Sequence, residues 1–485
     1  MEGTGNSEAS AQIRPPIAQT KPCFSSFYII PISILLLALT LTFIKSPYFP
    51  TRTSKSALST HPNPNSDQIR TRNPNAPYCV LWMAPFLSSG GYSSEAWSYI
   101  TSIHHNIQNP QFKLRIEHHG DLQSLQFWEG LTDFMRALAM ALHHTQCRLN
   151  ETIVVCHSEP GAWNPPLFDT WPCPPTSRYK DFLAVIGRTM FETDRLNTEH
   201  VNRCNKMDLV WVPTDFHVST FIQSGVHKSK VVKIVQPVDV QFFDPEKHSP
   251  LDLHSLGKLV LGNHGTPEFV FLSVFKWEYR KGWDVLLSAY LNEFTSADNV
   301  ALYLLTNPYH TEGDFDNKIV RFVETSAIKK PEQGYARIYV IDSHISQVDL
   351  PRLYRSADAF VLPSRGEGWG RPIVEAMAMG LPVIATNWSG PREFLREENS
   401  FGIEVEKMSE VMDGPFKGHL WAEPSIDSVR VLMRRVINCP KEAKEKGRRG
   451  REDMIRRFSP EVVAEIVSDH IHDLIQEKIS SVVSR

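Results

Sequence analysis

One run of the chain, AFVLPSRGEGWGRPIVEAMAMGLPVIATNWSGPREF over 359–394, admits few folds. A short apolar strand ends at Pro363. The turn after it holds Gly366, Glu367, Gly368, Trp369, Gly370 and Arg371. Pro372 suits the first turn of a helix, where its missing N–H costs nothing. Gly380 and Pro382 stop that helix, and a second strand follows. Strand, glycine turn, helix and strand make one unit of a parallel sheet with helices on its faces. Glycines in the turn let backbone approach a ligand closely. The helix N-terminus offers free N–H groups and the positive end of the helix dipole, which suits a diphosphate.

Glu375 lies near the start of this helix, and helical side chains lean toward the N-terminus. Its carboxylate accepts hydrogen bonds only, through two oxygens, and so matches a vicinal diol such as that of a ribose. Glu367, on the loop, matches a pyranose hydroxyl in the same way. A second element, FVFLSVFKWEYRKGWDVLLSA over 269–289, ends a strand at Lys276 and opens a helix with Arg280, Lys281 and Gly282. Cations there face the same diphosphate from the neighbouring strand end and stabilise charge growing on a leaving group.

The same alternation runs through most of the chain. Strand-like runs fall at Tyr78–Met83, Lys113–Glu117, Thr152–Cys156, Phe182–Ile186, Leu209–Val212 and Val231–Val235, with helical runs at 124–145 and 214–224. The pattern lapses near 241–265 and restarts with strands at Phe269–Phe275, Val300–Leu305, Arg337–Ile341, Ala359–Leu362 and Pro382–Ala385. This predicts an α/β protein of two doubly wound, Rossmann-like domains, 77–250 and 262–455, facing across a cleft. A helical C-terminal stretch, 456–485, follows; Gly447, Gly450 and Pro460 are the expected breaks around it.

Residues 22–44 carry no charge and would reach ~34 Å as a helix, enough for a hydrocarbon layer of ~30 Å. The run exceeds a signal-peptide core, and no A-x-A site follows it. We read it as an uncleaved transmembrane signal-anchor behind a cytoplasmic tail, 1–21. Residues 45–76, rich in Ser, Thr, Pro and Asn, read as a flexible stalk. That is the layout of a type II membrane enzyme of the secretory pathway. Lys plus Arg is 51 and Asp plus Glu 54, which leaves no basic excess for nucleic acid. Seven cysteines form no small disulfide scaffold; those at 79, 147, 156, 173, 204 and 439 are free to pair in an oxidising lumen.

The Lys-Gly and E-G-x-G…E-A-x-A-x-G-x-P-V-I-A patterns over 269–394 resemble the retaining glycosyltransferases of family 4, glycosyl transferases group 1. The run 187–213 and its continuation to Pro237-Val238-Asp239 resemble that group as well. The resemblance implies the two-domain GT-B architecture and a nucleotide-sugar donor on the second domain, its diphosphate at Lys276 and Lys281. It further implies Glu375 on the ribose and Glu367 at the transferred sugar, with Gly368, Trp369, Gly370 and Arg371 in the same cradle. Lys276 stands where the family has Arg, keeping the charge but losing the bidentate fork. Gly90 and Gly91 stand where the family has a loop closing over donor and acceptor. His157, at a strand end, is positioned to orient an acceptor or a sugar hydroxyl; a structural or solvated histidine is the equal alternative. Many members have a histidine at the end of the next strand, where this chain has GRTMFE, leaving Arg188 or Glu192 for the cleft role, with Glu192 the candidate for the acceptor.

The expected activity is transfer of a sugar with retention to a glycan, protein or lipid acceptor, by an enzyme anchored in the Golgi membrane or, alternatively, that of the endoplasmic reticulum. A GT-B-fold epimerase or phosphorylase and an inactive carbohydrate-binding or scaffolding protein are the rivals. No metal or other cofactor is expected. Asp314-Phe315-Asp316 has D-x-D form but sits at a helix start, where Asp is a common cap. Asn150-Glu-Thr and Asn387-Trp-Ser are N-glycosylation sequons. The second is expected to stay unmodified, within the donor site.

Overall fold

The computed structural model describes residues 77–107, 112–308 and 313–483. The expected tail, membrane anchor and stalk lie outside these residues. Among the described residues no helix is long and apolar enough to cross a membrane.

The first lobe is a six-stranded parallel sheet: β1 (Tyr78–Ala84), β2 (Phe112–His118), β3 (Thr152–His157), β4 (Ala184–Arg188), β5 (Leu209–Val212) and β6 (Val231–Lys233), in spatial order β2-β1-β3-β4-β5-β6. All residues of β1, β3 and β4 are buried, the signature of strands covered on both faces. The second lobe has seven strands: β7 (Lys258–Leu261), β8 (Phe269–Trp277), β9 (Val300–Pro308), β10 (Arg337–Ile341), β11 (Ala359–Leu362), β12 (Val383–Thr386) and β13 (Phe401–Ile403), ordered β13-β12-β11-β8-β9-β10-β7. In both sheets the chain reverses its direction of winding at one point, between β1 and β3 and between β8 and β11. Ligand crevices form outside the strand ends at such points.

Several expectations are corrected. The second sheet begins before Phe269, the first strand expected, because β7 joins its edge antiparallel to β10. The polar surroundings of 241–265 hid that strand. Residues 124–145 form two helices, Leu125–Gly130 and Asp133–His143, since Ser124 and Thr132 each cap a new N-terminus. Gly447 and Gly450 do not interrupt the helix Pro440–Phe458; they let it lie against the backbone of Gly380 and Asn399. The break falls at Pro460. From there a helix, Pro460–Val483, returns to the first lobe, packs on the helix Gly91–Asn106 and pairs Lys478 with Asp208 at 2.8 Å. A hairpin of β14 (Val405–Glu410) and β15 (Leu420–Pro424) was not foreseen. Cys79 pairs with Cys147 and Cys156 with Cys173, while Cys204 and Cys439 are free.

Candidate active site

The glycine turn and the basic turn emerge side by side from β11 and β8, at the winding reversal of the second sheet. Gly370 adopts φ +100°, a left-handed conformation that a Cβ disfavours, and begins the helix Arg371–Ala378. The Glu367 N–H donates to Ser389 Oγ at 3.0 Å, and its carbonyl accepts from the Gly390 N–H at 3.0 Å. The loop is therefore pinned to the segment after β12. A Cβ on Gly366 would strike the Glu192 carbonyl, and one on Gly368 would lie 2.7 Å from Met190. The missing side chains serve the approach of the first lobe, where the sequence suggested the approach of a ligand.

Lys281 donates to both carboxylate oxygens of Glu367, at 2.7 and 2.8 Å. Arg280 donates to the Gly366 carbonyl at 2.6 Å, stands 3.3 Å from Glu367 and 3.8 Å from Glu192, and bonds Glu278 at 2.8 Å. Burial works against the charge on Glu367, but Lys281 and Arg280 outweigh it and hold the carboxyl below its usual range. Glu367 is thus an anion fixed between two cations that face the lobe seam. Lys276 remains inside β8, in register with Asn307. Lys281 and Arg280 flank Glu367, so Arg280 and not Lys276 stands beside this carboxylate.

Arg365 carried no expectation from sequence, yet it organises both turns. Fully buried, it donates to Asp284 through two nitrogens at 2.8 Å each, to Glu423 at 2.6 and 3.1 Å, and to the Tyr279 carbonyl at 2.8 Å. Its guanidinium stacks 3.7 Å from the Tyr279 ring. One side chain thereby ties the basic turn, the helix behind it and β15 to the glycine turn. Only the fork of an arginine reaches two carboxylates in this manner.

Glu375 is buried and accepts from the Tyr354 hydroxyl at 2.9 Å, with Arg371 3.7 Å away. Burial raises its pKa against the opposing effects of Arg371 and Tyr354. Nε and Nη1 of Arg371 are buried without a hydrogen-bond partner. Unpaired buried donors at a helix N-terminus are costly unless an anion completes them. Trp369 departs from expectation. Its ring packs on Phe394 and Phe458, 5.2 and 5.4 Å between centroids, so it belongs to the core and not to a donor surface.

In the first lobe, Gly90 and Gly91 begin the helix Gly91–Asn106, and a Cβ on Gly91 would meet open space. His157 is wholly buried: Trp82 donates to its Nδ1 at 3.0 Å, and its Nε2 lies 3.1 Å from Glu95. Arg188 donates to Glu95 at 2.8 Å and to the Ile234 carbonyl at 2.8 Å. His157 and Arg188 therefore do not face the cleft; the Arg188 charge and the His157 ring are both engaged by the unforeseen Glu95. The structural alternative for His157 is the one observed. Glu192 stays partly exposed and opposite Arg280. Asn150 and Asn387 are both exposed, and Asn387 borders a groove shared with Arg435 and Lys446. Asp316 is ion-paired with Lys258, and among the described residues no group of three or more His, Cys, Asp or Glu is placed to hold a metal ion.

These buried groups set a pH dependence. Burial depresses His119 and His217 from 6.5 to about 4, so the unfolded chain binds protons that the folded chain refuses between those values. Glu95 is opposed by burial but drawn down to about 2 by Arg188 and His157, so its contribution is present above about 4.5 and lost as pH falls toward 2. Stability should therefore fall on acidification from pH ~6.5 to ~4, by roughly 3 kcal/mol for each of the two histidines, and further below. Urea unfolding midpoints across that range check this; a flat profile would contradict the buried-neutral histidines.

Residues 266–413 match the family model described as Glycosyl transferases group 1. The chain is 23% identical over 223 residues to spore coat protein SA of Bacillus subtilis, covering 44% of this chain and 56% of that protein. It is 24% identical over 183 residues to mannosylfructose-phosphate synthase of Agrobacterium fabrum, covering 38% of each. The chain thus spans about half or less of these relatives' lengths. The crystal structure of Anabaena HepE in complex with UDP and glucose superposes with a TM-score of 0.55 at 14% identity, covering 82% of this chain and all of HepE. The likeness establishes the GT-B fold of two Rossmann-like lobes.

Proposed function

We propose that this chain is a glycosyltransferase that moves a sugar, with retention, from a nucleotide-sugar donor to a glycan, protein or lipid acceptor. The observation that carries the reading is the placement of Glu367 between Lys281 and Arg280, beside a helix N-terminus, at the winding reversal of the second sheet. The match of 266–413 to Glycosyl transferases group 1 covers those residues.

In this reading the donor diphosphate lies on Lys281, Arg280, Arg371 and the amides of Gly368 and Gly370, with Lys276 in reserve on β8. Glu375 takes the ribose hydroxyls, displacing or sharing the Tyr354 hydroxyl. Glu367 accepts hydroxyl protons of the transferred sugar. The bond from the acceptor oxygen to the anomeric carbon forms on the face from which the phosphate departs. The acceptor proton passes to that phosphate, and the two cations stabilise the charge it gains. Glu192 approaches from the first lobe as the acceptor-side group, and Gly90 and Gly91 leave room for the loop to close on the ligand. We also place the enzyme in the Golgi membrane as a single-pass type II protein, on the uncharged run 22–44.

A thermal-shift screen of the full chain against nucleotide sugars, UDP-glucose included, tests the donor assignment. A bound donor at about 100 times its Kd adds roughly 2.7 kcal/mol. Glu375→Ala should remove most of that shift. If no nucleotide sugar raises the melting temperature, or Glu375→Ala keeps the full effect, the assignment is wrong.

A further inference from the structure

A second hollow, of about 600 Å³, opens between the lobes where the helix Asp215–Ser224 and β6 meet the turn after β12. It is lined by Lys233, Arg392, Arg396 and Arg457 against two carboxylates, Asp215 and Glu393. Lys233 pairs with Asp215 at 2.8 Å and Glu393 at 3.1 Å, and Arg457 stands 3.6 Å from Glu393. These ion pairs leave Arg392 and Arg396 unused, and both are exposed. Nη1 of Arg457 is buried with no hydrogen-bond partner. Burial, and then the like charge of Arg396, press the Arg457 guanidinium below its usual pKa. Crowded cations with an unsatisfied donor are unfavourable by themselves and are relieved by an anion.

The hollow is connected to the reaction site. Phe216, on its wall, meets Trp388 edge-on at 5.1 Å between centroids. Trp388 in turn lies against Gly366, where a Cβ would come within 3.1 Å of its ring. The next residue, Ser389, holds the Glu367 amide. Aromatic rings of this kind offer flat apolar faces to sugar C–H groups. Packed side chains thus link the wall of the hollow to the glycine turn.

We propose that this hollow is an acceptor subsite for a saccharide bearing an anionic group, carboxylate or phosphate, with Arg392, Arg396 and Arg457 on the anion and Phe216 under a sugar ring. Its role as an acceptor site rests on the transferase reading above; its choice of ligand rests on the charges of the hollow.

The test is calorimetric titration of the full chain with trigalacturonate, a 6-phosphorylated mannotriose and neutral galactotriose. At least one anionic trisaccharide should bind about tenfold or more tighter than the neutral one. That preference should weaken from about 50 to about 300 mM salt. The carboxylate and phosphate arms tell which anion is preferred. The double variant Arg392→Glu, Arg396→Glu, altering two exposed residues outside the ion pairs, should abolish the preference and keep the thermal shift by nucleotide sugar. Equal binding of charged and neutral trisaccharides, or a preference that survives charge reversal, overturns the proposal. Anion-dependent saccharide binding by a chain that binds no nucleotide sugar would support the subsite and sink the transferase reading instead.

Discussion

Glu367→Ala is expected to lower kcat/KM for sugar transfer by about 10²–10³-fold, the cost of removing one preorganised polar contact to a transition state. The variant loses the acceptor of the sugar hydroxyls. It also leaves Lys281 and Arg280 without the anion that now holds both. Lys281 is then free to clasp the diphosphate, with Arg280 beside it still bonded to Glu278, so nucleotide binding should persist or tighten while turnover falls. Glu367→Gln keeps the shape and separates charge from hydrogen bonding. Steady-state rates measured with nucleotide affinity check the split: transfer within threefold of the parent chain would remove Glu367 from the reaction.

Arg365→Ala should destabilise the second lobe by about 3–5 kcal/mol, the range for breaking a buried ion pair from one side. Asp284 and Glu423 would lose their shared partner, and the Tyr279 carbonyl its donor. Arg365→Lys keeps the charge but reaches one carboxylate at a time, so it should recover less than half of the loss. Because Arg365 fixes the turn that presents Arg280 and Lys281, the lysine variant should also weaken donor binding before it unfolds the lobe. Urea midpoints and the donor thermal shift, read on the same samples, distinguish these effects. An alanine variant as stable as the parent would show that the clamp contributes nothing.

Much of the architecture was legible because it is local. The strands β1, β3, β8 and β11 are continuous apolar runs, and Pro372, Gly380 and Pro382 mark the ends of one helix. Where local signals were weak the reading failed. The edge strand β7 holds only three apolar residues, Leu259 to Leu261, within a polar stretch containing Pro and Gly, and this short run was too weak a signal. The β14–β15 hairpin has an exposed, polar first strand. Gly447 and Gly450 looked like breaks, yet close packing against another backbone needs the absence of a side chain within a continuous helix.

The candidate site divides along the same line. Sequence alone determined that Glu367 and Glu375 lie on a glycine turn and the helix it opens, and that Lys281 lies on a basic turn after a strand, because spacing along one chain segment fixes those relations. Tertiary structure alone decided which charges neutralise one another. Lys281 and Glu367 are 86 positions apart, Glu95 and Arg188 93, and Arg365 reaches partners 58 and 81 positions away. It also decided that His157 and Arg188 are consumed in the interior and that Trp369 turns into the core. Charge pairing in a buried site depends on distance in space and on the loss of water, and neither is written in the order of the residues.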